Sequence, residues 1–298
     1  MPLDEDKYPG ETGRRRFVKG VVGSAALASV GTGGAAAVNT VTASSGGGGG
    51  PTQYIAIENI DGPAPRGLPM IPLEINDAGE LRGVFPEASQ ETVGGVTRTV
   101  AETDIGGVTY SSRWFPYCGV EQYHGVQPGV EADNFFRAAG SPPPAYEWQQ
   151  EVEGGTKLTV DMFEDYETWG NGIGISGLGK PAMARWRSEA EGVKTLPIQI
   201  LRSPEIEKMI NGEKGALGHD YSTIPDNIRN FIDAATAQNF MAWLDKCTHF
   251  CCVPGYKQLA GSENFDAQND VYCQCHQSVY DPFSPVQKQF VARPRPED

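Results

Sequence analysis

Basic residues are scarce in this sequence. Its 298 residues include 24 Lys and Arg against 38 Asp and Glu, which gives a formal net charge of −14. So few cations argue against a nucleic-acid-binding protein, which needs a basic surface to neutralise phosphates, and against a polybasic face that docks on an anionic membrane. Only ten of the cations are Lys. Excess carboxylate with little Lys is typical of a protein adapted to very high salt, and an ordinary acidic soluble domain is the alternative.

Signatures of a self-contained enzyme are also missing. The glycine-rich residues 170–179 are followed by Lys180, but Pro181 comes next, where a phosphate-binding loop needs Ser or Thr. The sequence contains no internal repeat and no constellation of a nucleophile with a general base. The chain alone is therefore not expected to be a complete enzyme.

The N-terminus carries an export pattern. Residues 1–20 predict the n-region of a twin-arginine signal, because paired arginines precede two apolar residues and a lysine in Arg14-Arg15-Arg16-Phe17-Val18-Lys19. Residues 21–43 carry no charge, and 12 of residues 21–41 are Ala, Val or Leu, so they predict a transmembrane helix or signal h-region. Cleavage near residues 35–37 or 42–43 stays open, and a basic patch before a flexible linker is the alternative. A retained anchor places everything after it on the extracytoplasmic side of the cell membrane.

The rest of the chain predicts a hinge and a mainly β domain. Residues 44–52 are rich in Gly and Ser, which is typical of a flexible hinge, and an inert spacer is the alternative. Residues 53–298 predict an external antiparallel β domain, because Gly and Pro separate short β-prone runs at residues 54–57, 97–100, 108–110, 157–160 and 198–201. Apolar spacing predicts helices within residues 204–239, and residues 240–244 predict a strand that leads into a cysteine-rich end.

Two short motifs in that end carry the candidate chemistry. Five of the six cysteines and two of the four histidines lie between Cys247 and His276. Box one is residues 247–252 (CTHFCC) and box two is residues 273–278 (CQCHQS). Each box supplies a Cys and a His, and two thiolates with two imidazoles suit zinc or an iron–sulfur unit. Covalent haem requires Cys-x-x-Cys-His, which the chain lacks.

The two boxes resemble the cluster-binding loops of Rieske iron–sulfur proteins of cytochrome bc and b6f-type quinol oxidases. The resemblance covers the anchor, the hinge and a cluster-binding subdomain at about residues 240–292. It implies one 2Fe-2S cluster and a disulfide between the boxes. The implied cluster ligands are Cys247, His249, Cys273 and His276, and the implied disulfide joins Cys252 to Cys275.

The resemblance also implies how the site is tuned. Two His ligands in place of two Cys raise the reduction potential to roughly −150 to +300 mV. Ser278 stands where the family has a hydroxyl that donates to a bridging sulfide, and Tyr280 where it has a phenol that donates to a ligand sulfur. His276 is the expected acceptor of a hydrogen bond from quinol, with His249 as the second exposed imidazole.

Several residues depart from the family pattern. The family usually has Gly where Cys251 and Gln277 stand, and Pro where Gln274 stands. Residues 281–285 (DPFSP) are the nearest candidate for the loop that covers the cluster in the family. A second disulfide between Cys118 and Cys251 is possible in an oxidising exterior. The two remaining histidines, His124 and His219, are expected to be ordinary surface or core residues.

The leading functional hypothesis is electron transfer by an anchored Rieske subunit. It would accept an electron and a proton from quinol at a membrane cytochrome b and pass the electron to an external cytochrome or copper protein. The alternative is the electron-relay subunit of an exported molybdenum oxidoreductase. A Rieske-type oxygenase fits poorly, because the remaining histidines are about 95 residues apart. A zinc-binding interaction module is the remaining competitor.

Overall fold

The computed structural model describes residues 50–93, 95–115, 117–120, 123–140, 146–187 and 196–292. All of them belong to one compact unit, Ser44–Asp298. The expected signal, anchor and most of the hinge (residues 1–49) lie outside the described residues. Within the described part, none of the helices has the length and apolarity to cross a bilayer.

The described residues form a mainly antiparallel β structure with few helices, as the sequence predicts. The strands are β1 (Gly50–Asp61), β2 (Leu68–Pro69), β3 (Leu73–Ile75), β4 (Leu81–Gly83), β5 (Ala88–Val93), β6 (Val96–Ile105), β7 (Val108–Ser111), β8 (Arg137–Ala138), β9 (Lys180–Trp186), β10 (Leu196–Arg202), β11 (Phe240–Leu244), β12 (Gly255–Tyr256), β13 (Val271–Cys273) and β14 (Ser278–Ala292). The α-helices are α1 (Glu205–Asn211) and α2 (Asp226–Ala235). Short 3₁₀ turns occur at Ser112–Trp114, His124–Val126, Glu147–Glu151, Val160–Phe163, Ala216–Gly218, Tyr221–Thr223 and Ala260–Phe265.

Two larger sheets set the position of the boxes. The first has the strand order β12-β13-β14-β1-β2, and the second has the order β11-β10-β9-β8. In the first sheet, β14 pairs antiparallel with β1 along nearly its whole length, from Gly50↔Ala292 to Asp61↔Val279. The second sheet contributes β11, whose end leads into box one. The sheets meet where Met70 forms a bridge with Trp243 and the Ile71 N–H donates to the Ala242 carbonyl at 2.8 Å.

Most of the predicted elements are present. Residues 54–57, 97–100, 108–110 and 198–201 lie within β1, β6, β7 and β10, and the strand predicted at residues 240–244 is β11. The helical spacing within residues 204–239 corresponds to α1 and α2. In α2, Ile228, Phe231, Ile232 and Ala235 are buried at positions i, i+3, i+4 and i+7, which is the spacing of one helix face.

Two expectations for local structure are wrong. Residues 157–160 are not a strand, because Lys157 and Thr159 each form only an isolated bridge, to Arg137 and Glu80, and a 3₁₀ turn begins at Val160. Without a continuous partner strand, the alternating apolar pattern cannot form a ladder. Residues 281–285 are not a covering loop. They lie inside β14 at an irregularity where Ile57 pairs with Pro285 and the next residue of β1 pairs with Asp281.

The hydrophobic core lies between the sheets and reaches the boxes. Trp114, Trp186 and Trp243 are all fully buried in it, together with Cys247 and Cys273. Burial of a large apolar side chain contributes on the order of 2 kcal/mol to stability. The two cysteine sulfurs therefore sit at the edge of a rigid core, while residue 250 of box one and residues 274–277 of box two are exposed.

Candidate metal centre

Box one is a tight turn that follows β11. The Cys251 N–H donates to the Cys247 carbonyl at 3.1 Å, and the Cys247 N–H donates to the Cys252 carbonyl at 2.7 Å. Cys251 has φ +67°, in the left-handed region. A bond from residue i+4 back to residue i with a left-handed residue at its end is the arrangement that closes the last turn of many helices. It holds Thr248 and His249 in a fixed turn.

Box two forms the hairpin between β13 and β14 and repeats that geometry. Cys273 pairs with Ser278 at the base of the hairpin. The Gln277 N–H donates to the Cys273 carbonyl at 2.8 Å, and Gln277 has φ +63°. Gln277 and Cys251 are the two positions where the Rieske resemblance has glycine. Both residues have a positive φ, a conformation that glycine adopts more readily than any other residue.

The end of β1 supports box two from below. Gly62 has φ +82°, and a Cβ at this position would lie 2.5 Å from the Gln277 carbonyl oxygen. The Ala64 N–H donates to the Ser278 Oγ at 3.1 Å. Ser278 is fully buried. Because this bond uses a lone pair of the Ser278 oxygen, the hydroxyl proton stays available as a donor.

The two candidate ligand thiols meet at the base of the boxes. Cys247 and Cys273 are each 1% exposed, and neither forms a disulfide. The hydrogen bond from the Cys273 thiol, with a second from Tyr280, lowers the pKa of Cys247 to about 5 against the opposing effect of burial. The same thiol–thiol bond, together with burial, raises the pKa of Cys273. Because the two sulfurs are in hydrogen-bond contact, one metal ion could bind both.

Hydrogen-bond donors converge on the Cys247 sulfur. The Tyr280 hydroxyl donates to Cys247 Sγ at 3.2 Å, and the His249 N–H lies 3.5 Å from the same sulfur. The Thr248 N–H in turn donates to the Tyr280 oxygen at 3.4 Å. The Thr248 hydroxyl donates to the Arg66 carbonyl at 2.6 Å, which fixes box one against the loop after β1.

The candidate ligand imidazoles lie together on the outer side of the boxes. The ring centroids of His249 and His276 are 4.8 Å apart. Phe250, which is 64% exposed, lies 4.3 Å from the His249 ring and 4.9 Å from the His276 ring. His276 is exposed, whereas His249 is half-buried. The Nδ1 atom of His249 is buried and has no hydrogen-bond partner among the described residues.

Two disulfides hold the boxes. Cys252 is bonded to Cys275, the pair that the resemblance implies, with the Cα atoms 6.6 Å apart. Cys118 is bonded to Cys251, so the second pairing that the sequence left open is present. The two bonds use adjacent cysteines of box one. One bond joins the boxes to each other, and the other joins box one to a segment 133 residues earlier.

The potential metal ligands of the two boxes are grouped by type. Among the described residues, one group of three potential ligand atoms lies within 4.8 Å of one another, formed by Cys252, Cys273 and Cys275. Two of these sulfurs are in a disulfide and do not bind metal as thiolates. The four predicted ligands instead form two pairs, the buried thiols of Cys247 and Cys273 and the neighbouring imidazoles of His249 and His276, and these four residues could hold a metal centre. The unpaired buried Nδ1 of His249 is an atom that an iron would satisfy.

Sequence reasoning missed several residues around this centre. Asp245 is fully buried two residues before Cys247, and burial raises its pKa well above the usual range. Tyr117 donates to the Lys246 carbonyl at 3.0 Å, and no sequence signal linked the two. Among the described residues, no group of potential metal ligands includes His219, whose ring stacks on Tyr221.

The His219 Nε2 atom lies 3.5 Å from the Asp281 carboxylate of β14, so this histidine packs against the first sheet. His124 lies in the 3₁₀ turn His124–Val126. Comparison of the chain with protein-family models, with curated proteins and with solved structures finds no match.

Proposed function

We propose that this protein transfers single electrons through a Rieske-type 2Fe-2S cluster. The observation that carries the proposal is the pairing of ligand types: each of two adjoining loops contributes one buried thiol and one outward imidazole. The thiols are Cys247 and Cys273, and the imidazoles are His249 and His276. A zinc knuckle has no need for the further disulfide that joins the loops through Cys252 and Cys275.

The four residues would hold the two irons differently. Cys247 and Cys273 would bind the inner iron at the edge of the core, and His249 and His276 the outer iron near the surface. When bound, such a cluster accepts one electron at a potential of roughly −150 to +300 mV, far above that of an all-cysteine plant-type cluster. Both thiols must lose their protons when the cluster binds, and the hydrogen bond that Tyr280 donates favours the Cys247 thiolate.

The surrounding donors favour a high potential. Added negative charge on a ligand sulfur is stabilised by the Tyr280 hydroxyl at 3.2 Å and by the His249 N–H. The Ser278 oxygen accepts the hydrogen bond from the Ala64 N–H, so the Ser278 hydroxyl proton can be donated elsewhere. Ser278 is buried at the base of box two. Tyr280 and Ser278 lie in β14, which pairs with β1 along nearly its whole length, so these two hydroxyls need no rearrangement when the charge changes.

The exposed imidazole supplies a route for a proton. His276 is exposed at the end of box two, where a quinol hydroxyl could donate a hydrogen bond to its outer ring nitrogen. Histidine changes charge in the physiological pH range more readily than any other side chain. Phe250 contacts both rings, with its ring centroid 4.3 Å from that of His249 and 4.9 Å from that of His276. His276 would therefore accept the quinol proton, and His249 would be its neighbour.

The proposed setting is the outer face of a cell membrane. Residues 21–43 would anchor the chain, with residues 44–52 as hinge, next to a cytochrome b-type subunit that oxidises quinol. An external cytochrome or copper protein would then take the electron. The export pattern and the two disulfides support an oxidising exterior.

An EPR-monitored redox titration of the full-length chain at several pH values tests this function. We expect a reducible 2Fe-2S signal with a high potential that falls as pH rises, because reduction takes up a proton. A colourless, EPR-silent protein that contains zinc after anaerobic reconstitution with iron and sulfide would overturn it. A 2Fe-2S signal with a low, pH-independent potential would favour the relay subunit of a molybdenum oxidoreductase.

A further inference from the structure

The left-handed conformation of Cys251 is the feature that closes box one. Its N–H donates to the Cys247 carbonyl at 3.1 Å, and this bond sets the direction of the turn that carries Thr248 and His249. L-residues other than glycine avoid such φ values, because Cβ approaches the neighbouring carbonyl. A cysteine at φ +67° therefore needs support from elsewhere in the fold.

The disulfide to Cys118 supplies that support. Cys118 also has a left-handed φ, +53°, so both halves of the bond adopt a conformation that neither prefers alone. The Cys118 sulfur lies 3.3 Å from the Cys247 carbonyl oxygen, the same atom that accepts the bond from Cys251. The disulfide and the hydrogen bond that closes the turn thus both contact the Cys247 carbonyl oxygen.

The segment that carries Cys118 makes further contacts with the approach to box one. We call residues 117–120 and 123 the cover segment. The Tyr117 hydroxyl donates to the Lys246 carbonyl at 3.0 Å, and Lys246 Nζ donates to the Tyr123 hydroxyl at 3.3 Å. The Arg66 guanidinium lies 4.5 Å from the centre of the Tyr117 ring, and the Arg66 carbonyl accepts the hydroxyl of Thr248. The cover segment therefore contacts box one at Cys247 and also contacts the neighbouring residues Lys246 and Arg66.

Box two provides an internal comparison. Gln277 closes it with the same i+4 to i hydrogen bond and a φ of +63°, but a glutamine has no covalent bond to hold it. Box two is instead braced as a hairpin between β13 and β14 and by Gly62 beneath it. Box one lies beyond the end of β11 and has no hairpin partner of that kind in the described structure, so its turn depends more on the disulfide.

We propose that Cys118 and Cys251 form a positioning pair: their disulfide holds the left-handed turn of box one, and through it the orientation of His249 and the Cys247 thiol. The pair takes the place of a glycine at position 251. The consequence for an iron–sulfur centre rests on the proposed function, but the effect on the turn does not.

Two double variants separate the effect of the disulfide bond from the effect of the residue type at position 251. C118S/C251S removes the bond and leaves a residue that disfavours positive φ, whereas C118S/C251G removes the same bond and supplies glycine. Both are made in the full-length chain, and Q277G is the matched control in box two. The readouts are hydrogen-exchange protection of the amide at position 251, corrected for side-chain effects, and the half-time of cluster loss with its EPR g values.

We expect C118S/C251S to lose at least tenfold in protection at position 251 and to release the cluster at least fivefold faster, with altered g values. C118S/C251G should return both quantities to within about twofold of the wild type. Q277G should leave box one unchanged. Equal behaviour of the two double variants, whether both resemble the wild type, both are impaired or both fail to fold, would overturn the proposal. Folding of the glycine variant alone would support it.

The two proposals fail in different ways. If the wild-type chain holds no 2Fe-2S cluster, the proposed function is wrong, and amide protection at position 251 still tests the positioning pair. If the cluster is present but glycine does not rescue the turn, only the role of Cys118 and Cys251 is wrong.

Discussion

The Tyr280 hydroxyl lies 3.2 Å from the Cys247 sulfur and donates its proton to it. Tyr280 comes two residues after box two, and Cys247 is the first residue of box one, so this bond crosses between the two loops. Burial, together with this bond to Cys247, raises the pKa of Tyr280, and the phenol stays a donor throughout the physiological range. The contact couples the strand β14 directly to a candidate metal ligand.

Removal of this donor should lower the reduction potential. We expect Tyr280→Phe to shift the midpoint down by roughly 40 mV, which for one electron corresponds to about 1 kcal/mol of lost hydrogen bonding in the reduced state. An EPR-monitored redox titration measures it. Tyr256→Phe is the matched control, because the buried Tyr256 hydroxyl has no hydrogen-bond partner among the described residues. An equal shift in both variants would contradict the role of Tyr280.

The grouping of the candidate ligands within each box could be predicted from sequence because it is local. Cys247 and His249 are two residues apart, Cys273 and His276 are three apart, and both spacings place side chains on one short turn. The strand predicted before box one has the same bounds as β11. The supports could not be predicted, because they come from distant parts of the chain. Cys118 is 133 residues from Cys251, and the Arg66 carbonyl is 182 residues from Thr248.

Two local predictions failed, one of a strand and one of a loop, because the pairing with a neighbouring strand decides the structure of these residues. Residues 157–160 have β-prone composition, but their neighbours offer single bridges and no ladder. Residues 281–285 contain two prolines, which suggest a loop, yet the adjoining strand β1 accommodates them as an irregularity in β14. Proline is tolerated in a strand at such a point, since a bulge requires no ladder donor there.

The histidines provide a test of the ligand assignment. We expect His249→Gln and His276→Gln each to abolish the 2Fe-2S EPR signal and to lower bound iron below two per chain. His124→Gln and His219→Gln should retain both, because neither histidine belongs to a box: His124 begins a 3₁₀ turn, and His219 lies beside Asp281. Iron analysis and EPR on the purified variants measure this. Loss of the signal in a His219 variant that remains folded would show that the assignment is incomplete.

The disulfide between the boxes should govern how long the centre persists. Cys252→Ser and Cys275→Ser remove no proposed ligand, but they open a link that closes a loop of 23 residues, worth about 3 kcal/mol in the chain-entropy model. We expect cluster loss to be at least tenfold faster in either variant. The rate of bleaching under air measures it. If both variants keep the cluster as long as the wild type at an unchanged potential, the bond is not needed to hold the site.

The acidic composition predicts a dependence on salt. With a net charge of −14, the folded chain experiences self-repulsion that falls as the Debye length shrinks from about 10 Å at 0.1 M to about 3 Å at 1 M salt. We expect the unfolding temperature to rise by about 5 °C or more between 0.1 and 2 M KCl. Sucrose at the concentration that gives equal osmolality serves as the uncharged control. A similar rise in sucrose, or none in KCl, would argue against screening as the cause.

Asp270 should make stability fall as pH rises. Burial, with a smaller effect of the Asp281 charge, raises the pKa of Asp270 to about 7, whereas an unfolded chain gives a value near 3.9. The native state therefore holds this proton more tightly, so the stabilisation is fully present below about pH 4 and is lost as pH rises through about 7. Asp270→Asn removes the dependence and should stabilise the protein at pH 8 by on the order of 2 kcal/mol. Urea unfolding at pH 5 and pH 8 measures the free energy of unfolding, and Asp266→Asn, at an exposed position, is the control. If Asp270→Asn stabilises the protein no more at pH 8 than at pH 5, burial of Asp270 is not the cause.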